Sequence, residues 1–402
     1  MNLLGERIRQ RRLIRGLTLK ELSKFLESEG VSLTQAALSN YEKGINFPSA
    51  QTLLALARVL GVGVEYFFES PKTTVRWLAY RHRASMTKRD EQRIISWANE
   101  RVSCAIELMS LFPLKRPAEG IDQEVLESDE AAEDVAIKVR RAWRLDELPI
   151  PSLTQLLEDR GWLVLFSDLD CDDFDGIAGT TDGGVPVVVS KEMPFTDRKR
   201  MNLAHEVGHH YVAAASGDDK EDERFVFRFA AALLIPAEIV RQQIGLARRS
   251  VDWTELAILK KKFGISLQAL VRRLSDLGII SQSRYVLMNI DYKKRNWHKG
   301  EPVSCSFNEE PLAVHQAAFK ALAEGIISEE RASRLDPEMV REREESLTPG
   351  GLTAPELLSL PTADRDRILS TAAEASQADY RSGGRLRDFD AAEEVQDYPP
   401  ER

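Results

Sequence analysis

Cysteine is scarce in this chain of 402 residues, and its positions fit no metal site. Cys104, Cys171 and Cys305 lie far apart, which excludes the paired spacing of zinc ribbons. Their odd number argues against a disulfide framework, so we expect a reducing compartment.

Long apolar runs and a surplus of positive charge are also missing. The chain has no apolar run of about 18 residues and no secretory signal, which predicts a cytoplasmic protein that does not span a membrane. A formal net charge of −9 excludes a general nucleic-acid coat, so any DNA contact must come from a local patch. The length predicts two or three domains.

Histidine is sparse, yet two of the six histidines lie four residues apart in the H-E-V-G-H stretch at residues 205–209. Apolar residues at helical spacing predict a helix from about Thr196, as N-cap, to Ala215. On one face of that helix His205 and His209 can bind one zinc ion, and Glu206 can accept a proton from water. The alternative is a helix whose two histidines are surface or capping residues.

A third metal ligand must come from elsewhere in the chain. His210 points about 100° away from His209 on a helix and is a poor candidate. Residues 220–236 read as a second helix, acidic at its start and then apolar, that ends near Pro236. Glu223 lies one turn into this helix and would face the histidines if the two helices pack antiparallel.

Two of these stretches resemble one family. Residues 197–209 resemble the R-x-R-F-x-x-A-H-E-x-G-H core of the ImmA/IrrE zinc peptidases, and residues 229–236 resemble their F-A-x-x-L-L-M-P block. The resemblance implies a zincin-like domain in which His205, His209 and Glu223 hold Zn²⁺. The chain departs from the family at residues 226–227, where Val-Phe replaces the usual Ala-Asn, and Glu221 and Asp222 could compete with Glu223. Mn²⁺ would accept the same ligands.

The implied chemistry is hydrolysis of a peptide bond. Zinc would lower the pKa of a water molecule toward about 7. Glu206 would accept the proton of that water and pass it to the leaving amine. The sequence singles out no residue that would stabilise the oxyanion.

Short β-branched runs at residues 162–166 and 185–190 predict strands of a small sheet beside the two helices. In similar peptidases an edge strand next to the site can hold an extended peptide by main-chain hydrogen bonds. We expect residues 176–179 near that edge, although a loop or hairpin is an equally good interpretation.

The first 70 residues carry a second motif. Four helices are predicted there, with Thr18 and Thr34 as N-caps of the second and third. The pattern resembles an XRE-type helix-turn-helix of the λ-repressor-like fold, in which S-x-x-E-x-G at residues 39–44 is the end of the recognition helix. A longer turn precedes that helix because residues 27–30 are inserted.

This resemblance and the physics of the groove predict binding to double-stranded operator DNA. Gln35 can read adenine in the major groove, and Ser39 and Asn40 lie on the exposed side. Phosphate contacts are expected from basic residues, namely Arg7, Arg11, Arg12 and Lys43. Because the domain is only weakly basic, we expect a homodimer. The alternative is a five-helix module that binds protein.

The predicted fold class is therefore α+β and mostly α. We divide the chain into a helix-turn-helix domain (1–70), a helical connector (71–128), a peptidase domain (129–292), a helical extension (293–347) and an acidic tail (348–402). One helix, Ala363 to Tyr380, is expected in the tail, and the last residues are expected to be disordered.

A DNA-binding domain fused to a peptidase predicts a regulator. The similar peptidases cleave a repressor protein in response to DNA damage or mobile-element stress, so the substrate here would be a separate regulator or the chain itself, with single-stranded DNA as a conceivable activator. The alternative is an antitoxin or autorepressor whose zinc fold is a non-catalytic scaffold for a ligand or for a toxin bound through the tail.

Overall fold

The computed structural model describes residues 2–79, 86–112, 121–171 and 173–337, together with residues 362, 365, 366, 369 and 370. Residues 1–327 form one compact unit and residues 328–402 another. The described part is α+β and mostly α, as predicted. Of the predicted tail helix at residues 363–380, only residues 365, 366, 369 and 370 are described, and these are helical. The acidic end of the chain lies outside the described residues.

Residues 2–68 form helices joined by turns, and the second and third helices have the N-caps that the sequence predicts. The elements are α1 (Leu3–Ile14), α2 (Leu19–Ser28), α3 (Gln35–Glu42), α4 (Ala50–Leu60) and a 3₁₀ turn (Val64–Phe68). Thr18 and Glu21 form a reciprocal capping box at α2, and the Thr34 hydroxyl accepts a hydrogen bond from Ala37 N at α3. Ile8, Leu22, Leu38 and Phe67 are fully buried between these helices.

The connector differs from its predicted all-helical form. It begins with a strand, β1 (Val75–Ala79), and only then becomes a long helix, α5 (Lys88–Ser110). The prediction of helix from residue 71 was therefore wrong at β1. The stretch Val75-Arg76-Trp77-Leu78 alternates half-buried and exposed side chains, which is the period of a strand. Helix α5 packs against α1, so the connector touches the N-terminal helical domain directly.

Five further strands follow along the chain: β2 (Glu124–Leu126), β3 (Leu163–Ser167), β4 (Gly176–Thr181), β5 (Pro186–Lys191) and β6 (Val212–Ala214). The larger sheet has the order β1-β4-β5-β3, in which β4 runs antiparallel to both neighbours and β5 runs parallel to β3. Strands β2 and β6 form a separate parallel pair. The stretch at residues 176–179 is thus part of a strand rather than a loop.

Helices surround the sheet. Before and beside it lie α6 (Asp129–Ala142), α7 (Leu153–Glu158), α8 (Thr196–Tyr211) and α9 (Asp219–Leu234). They are followed by α10 (Ala237–Ile244), α11 (Trp253–Phe263), α12 (Leu267–Asp276), α13 (Gln282–Lys294) and α14 (Ala313–Ala323). The second unit contributes α15 (Glu329–Leu335). Among the described residues, no helix is both long enough and apolar enough to cross a lipid bilayer.

Helix α8 is shorter than predicted at its C-terminal end and begins differently. Phe195, not Thr196, occupies the N-cap position, and no side chain caps the helix there. The helix stops at Tyr211 because the chain turns extended at Val212 to pair with β2. The C-terminal end of the helix is therefore fixed by the pairing of β6 with β2, which the local sequence does not predict.

Candidate functional site

Helices α8 and α9 bring three side chains of metal-ligand type together. His205, His209 and Glu223 each offer one ligand atom, and these atoms lie within 4.8 Å of one another. His205 Nε2 is 3.4 Å from Glu223 Oε2, and His209 Nε2 is 3.8 Å from Glu223 Oε1. Two ligands that are each about 2.1 Å from a tetrahedral zinc ion lie roughly 3.4 Å apart, so the arrangement fits zinc.

The close approach of the two helices depends on a glycine inside the histidine motif. A Cβ atom at Gly208 would lie 2.9 Å from Val226 Cγ1 and 3.1 Å from Phe229 Cδ1. Both values are below ordinary van der Waals contact, so a side chain at position 208 would push α9 away. Gly208 therefore allows Glu223 to reach the histidines.

Glu206 lies beside this group and is almost completely buried. Its carboxylate packs against Gly176, the first residue of β4. A Cβ atom placed on Gly176 would lie only 2.6 Å from the Glu206 carboxyl carbon and from Oε1. The absence of a side chain at Gly176 leaves the space that the carboxylate fills. The sheet and the helix thus fix the position of Glu206 together.

The two other acidic candidates on α9 have different partners. Glu221 accepts hydrogen bonds from Ser216 and Arg224, away from the histidines. Asp222 accepts a hydrogen bond from Ala214 N at 2.7 Å, and its Oδ2 lies 4.0 Å from His209 Nδ1. Partial burial raises the pKa of Asp222. Of the three carboxylates, Glu223 is the one grouped with both histidines.

His210 turns away from the group, as predicted for its position on the helix. Its ring packs edge-on against Trp162, with the centroids 4.6 Å apart, and Nε2 lies 3.4 Å from the carbonyl oxygen of Val187. Burial lowers the pKa of His210 to about 4. His210 is therefore a half-buried packing residue that points away from the three grouped side chains.

Phe227 covers one side of the group. Its ring centroid is 4.3 Å from that of His205, and the side chain is 41% exposed. This is one of the two positions at which the chain departs from the ImmA/IrrE pattern. Sequence reasoning noted the departure but did not place an aromatic ring against a candidate ligand.

Buried ion pairs anchor the N-terminal half of α8. Arg200 and Glu309 are both essentially inaccessible and form a salt bridge, and Glu309 also accepts hydrogen bonds from the backbone of α7. Lys260 bridges Asp197 of α8 to Glu301. These partners come from residues more than 60 positions away in sequence, and no local pattern marks them.

The other candidate surface is α3 of the helix-turn-helix. Gln35 and Lys43, at its two ends, are exposed, and Ser39 and Asn40 between them are half-buried. Leu38 is fully buried and anchors the helix to the core of the N-terminal domain. Gln35 and Lys43 are therefore accessible to DNA, whereas Ser39 and Asn40 are less exposed than the sequence predicts.

Three of the predicted phosphate contacts need correction. Arg7 is buried, donates to the carbonyl oxygen of Tyr66 and stacks on the Tyr66 ring. Arg11 donates to Leu60 O and pairs with Glu100 of α5 at 2.8 Å. Arg12 is bound by the buried carboxylate of Glu42. The sequence shows that α1 carries basic residues, but it does not show that Tyr66, Glu100 and Glu42 from other elements bind them.

Comparison with known families agrees with both parts of the chain. A helix-turn-helix family model matches residues 8–67, and a model of the IrrE N-terminal-like domain matches residues 158–275. No curated protein and no solved structure matches the chain. Residues 8–67 are therefore similar to an XRE-type helix-turn-helix, and residues 158–275 are similar to an IrrE-like peptidase domain.

Proposed function

We propose that this protein is a DNA-binding transcriptional regulator with a zinc-dependent endopeptidase activity. The substrate would be a repressor protein or the chain itself, cleaved in a response to stress, DNA damage or mobile elements. The fusion of a DNA-binding domain to an IrrE-like peptidase domain supports a regulator with a protease role. The observation that carries the enzymatic half is the grouping of two histidines and a glutamate with a second, buried glutamate beside them.

In this proposal His205, His209 and Glu223 hold the metal, and Glu206 is the catalytic base. Two nitrogens and one carboxylate oxygen are a donor set that zinc accepts, and Mn²⁺ would accept it too. When bound, the metal would supply a Lewis acid that lowers the pKa of a water molecule and polarises the peptide carbonyl. Glu206 would take the proton from that water on a carboxylate oxygen and deliver it to the leaving nitrogen.

The surroundings of Glu206 support a role in proton transfer rather than in packing alone. A carboxylate that is 1% exposed is costly to bury, and an apolar side chain would fill the same space at lower cost. Gly176 leaves room for the charged group instead. A non-catalytic scaffold has no need for an acid at this position.

The deciding experiment compares wild type with Glu206→Gln. Both proteins are purified with zinc or manganese, their metal content is measured, and each is incubated with candidate regulators with and without single-stranded DNA. We expect cleavage by wild type and a loss of at least about 100-fold in the variant. Glu221→Gln, on the outer part of α9, is the matched control and should cleave normally.

N-terminal sequencing of the fragments distinguishes cleavage of a separate regulator from cleavage of the chain itself. If wild type and a metal-loaded Glu206→Gln give the same fragments, or none, the peptidase proposal is lost. The scaffold alternative would then stand, and its acidic tail, most of which lies outside the described residues, would be tested by copurification with a toxin. Binding to operator DNA as a homodimer is part of the proposal under either outcome.

A further inference from the structure

Strand β4 has one end at the candidate catalytic base and one side covered by the connector. Gly176, its first residue, packs against the Glu206 carboxylate. Along the strand, β1 pairs antiparallel, with Val75 opposite Thr181 and Ala79 opposite Ala178. The direction of β1 therefore leads from the far end of β4 toward the end where Glu206 lies. Without β1, β4 would be the edge strand of the sheet.

A sheet edge can bind any extended segment through main-chain hydrogen bonds, and side-chain pockets then select the segment. On β4 the missing side chain of Gly179 leaves such a space for a side chain of the paired strand. A Cβ at Gly179 would be 2.6 Å from Trp77 Cε3 and 2.8 Å from Val75 Cγ1, so the side chains of β1 fill the space above this glycine. This space suits a large aromatic ring.

The pairing of β1 is held at one end and irregular at the other. Thr73 and Thr74 donate hydroxyl hydrogen bonds to Asp182, and Asp182 N donates to Thr74 O at 2.9 Å. These bonds hold the pKa of Asp182 below its usual value. Between Trp77 and Ala79 the register shifts, and the side chains of Arg76 and Leu78 are exposed. A strand of five residues with a single clamp can leave its edge at limited cost.

Strand β1 is also tied to the DNA-binding domain. Lys72 N donates to the Ser103 hydroxyl of α5 at 2.8 Å, just before the strand begins. Helix α5 is in turn joined to α1 by the Arg11–Glu100 pair and by the hydrogen bond from Gln10 to Ser96 O. A displacement of the DNA-binding domain on α5 would therefore pull on β1.

We propose that β1 occupies in cis the peptide-binding edge of the peptidase domain, and that a protein substrate must displace it. The substrate would enter as an extended segment with a large aromatic side chain opposite Gly179, where Trp77 now lies. This inference rests on the proposed function and adds to it a substrate class and an autoinhibitory contact linked to the DNA-binding domain.

The test measures binding rather than cleavage, on the Glu206→Gln background. The probe is a fluorescein-labelled peptide with the sequence of residues 73–79, followed by anisotropy. In the parent the attached strand competes at a millimolar effective concentration, so binding should be weak. Trp77→Ala should bind the probe at least tenfold more tightly. Leu78→Ala, on the exposed face of the same strand, should not.

Two further arms keep the test decisive. The double variant Arg76→Cys/Thr180→Cys joins a directly opposed pair, so its oxidised form should bind the probe at least tenfold more weakly than its reduced form. A probe with alanine in place of Trp77 should bind none of the proteins. If Trp77→Ala does not fold, Asp182→Ala removes the clamp and takes its place.

Equal probe binding by the parent, Trp77→Ala and the oxidised double variant would overturn the inference. A gain in Leu78→Ala as large as that in Trp77→Ala would do the same. Because the assay needs no turnover, probe binding without any proteolysis would leave this inference standing while the proposed function fails. Proteolysis without displacement of β1 would support the proposed function and overturn this inference.

Discussion

Gly208 of α8 and Val226 of α9 are packed so closely that a methyl group on the glycine would lie 2.9 Å from Val226 Cγ1. The two residues lie at the crossing of the helices that carry the candidate ligands, three positions from His205 and from Glu223 respectively. The geometry of the candidate metal centre therefore depends on the distance between two helix backbones.

Replacing Gly208 with alanine should weaken metal binding without unfolding the helix. Alanine favours a helix by about 1 kcal/mol over glycine, but the overpacking against α9 costs about 1–3 kcal/mol and moves Glu223 away. We expect at least a tenfold loss of zinc affinity, measured by chelator competition. Gly183→Ala, in a turn where the nearest atom is 3.8 Å away, is the control and should bind zinc normally. Unchanged affinity in Gly208→Ala would show that α9 tolerates the methyl group.

Sequence alone brings the two histidines and Glu206 of this candidate centre together because the information for them is local. The two histidines and Glu206 lie on one helix, and helical periodicity fixes which of them share a face. Glu223 needed the family resemblance, since Glu221 and Asp222 are equally acidic neighbours, and only the structure shows that they bind Ser216 and Ala214 instead. The role of Phe227 could not be predicted, because it depends on how α8 and α9 pack.

Gly176→Ala should separate metal binding from catalysis. The added methyl group would lie 2.6 Å from the Glu206 carboxylate and force it to move, while His205, His209 and Glu223 have no contact with this glycine among its nearest atoms. We expect normal zinc content and a cleavage rate lowered at least tenfold, because a displaced base transfers protons poorly. Gly183→Ala again serves as the control. Loss of zinc in Gly176→Ala would mean that the methyl group disrupts the whole site.

The Arg200–Glu309 pair should be strongly coupled in stability. Both side chains are buried, so removing one partner leaves an uncompensated charge, which costs about 3–5 kcal/mol. Arg200→Met and Glu309→Gln should each lower the free energy of unfolding in urea by such an amount. The double variant should lose clearly less than the sum of the two. Additive losses would contradict a direct interaction. The exposed pair Lys138–Glu124 is the matched control and should contribute less than about 1 kcal/mol.

The sequence does not predict contacts between segments that lie far apart in the chain. Strand β1 is only five residues long and lies in a stretch that otherwise reads as helix. It pairs with β4, which lies about 100 residues later in the chain, so the pairing gives no local signal in the sequence. Glu309 likewise lies more than 100 residues from Arg200. Long-range contacts of this kind decide where the connector lies, although most helices of the described chain begin at a side-chain N-cap.

At the two ends of α3, Gln35 should set the preference for a DNA sequence, and Lys43 should set the affinity for DNA of any sequence. Gln35 is exposed at the helix N-terminus, and Gln35→Ala should relax base preference at one position, at a cost of about 1–3 kcal/mol for the preferred base. Lys43→Ala should instead weaken binding to all sequences. It should also reduce the salt slope, which is the slope of the logarithm of the binding constant against the logarithm of the salt concentration, by about 1. Selection from a random duplex library, followed by titrations at several salt concentrations, measures both. Unchanged selectivity in Gln35→Ala would remove α3 as the recognition helix.

Arg11 should affect stability rather than DNA binding, in contrast to what the basic pattern of α1 suggests. Its guanidinium is held by Leu60 O and by Glu100 of α5, so it is not available to a phosphate in this arrangement. Arg11→Ala should lower the free energy of unfolding by about 1–2 kcal/mol through lost charged hydrogen bonds, and leave the salt slope of operator binding unchanged. Arg9→Ala, exposed on the same helix, should leave stability unchanged. If Arg11→Ala reduces the salt slope by about 1, Arg11 reaches phosphate in the complex, and α5 must then move away from α1 when DNA binds.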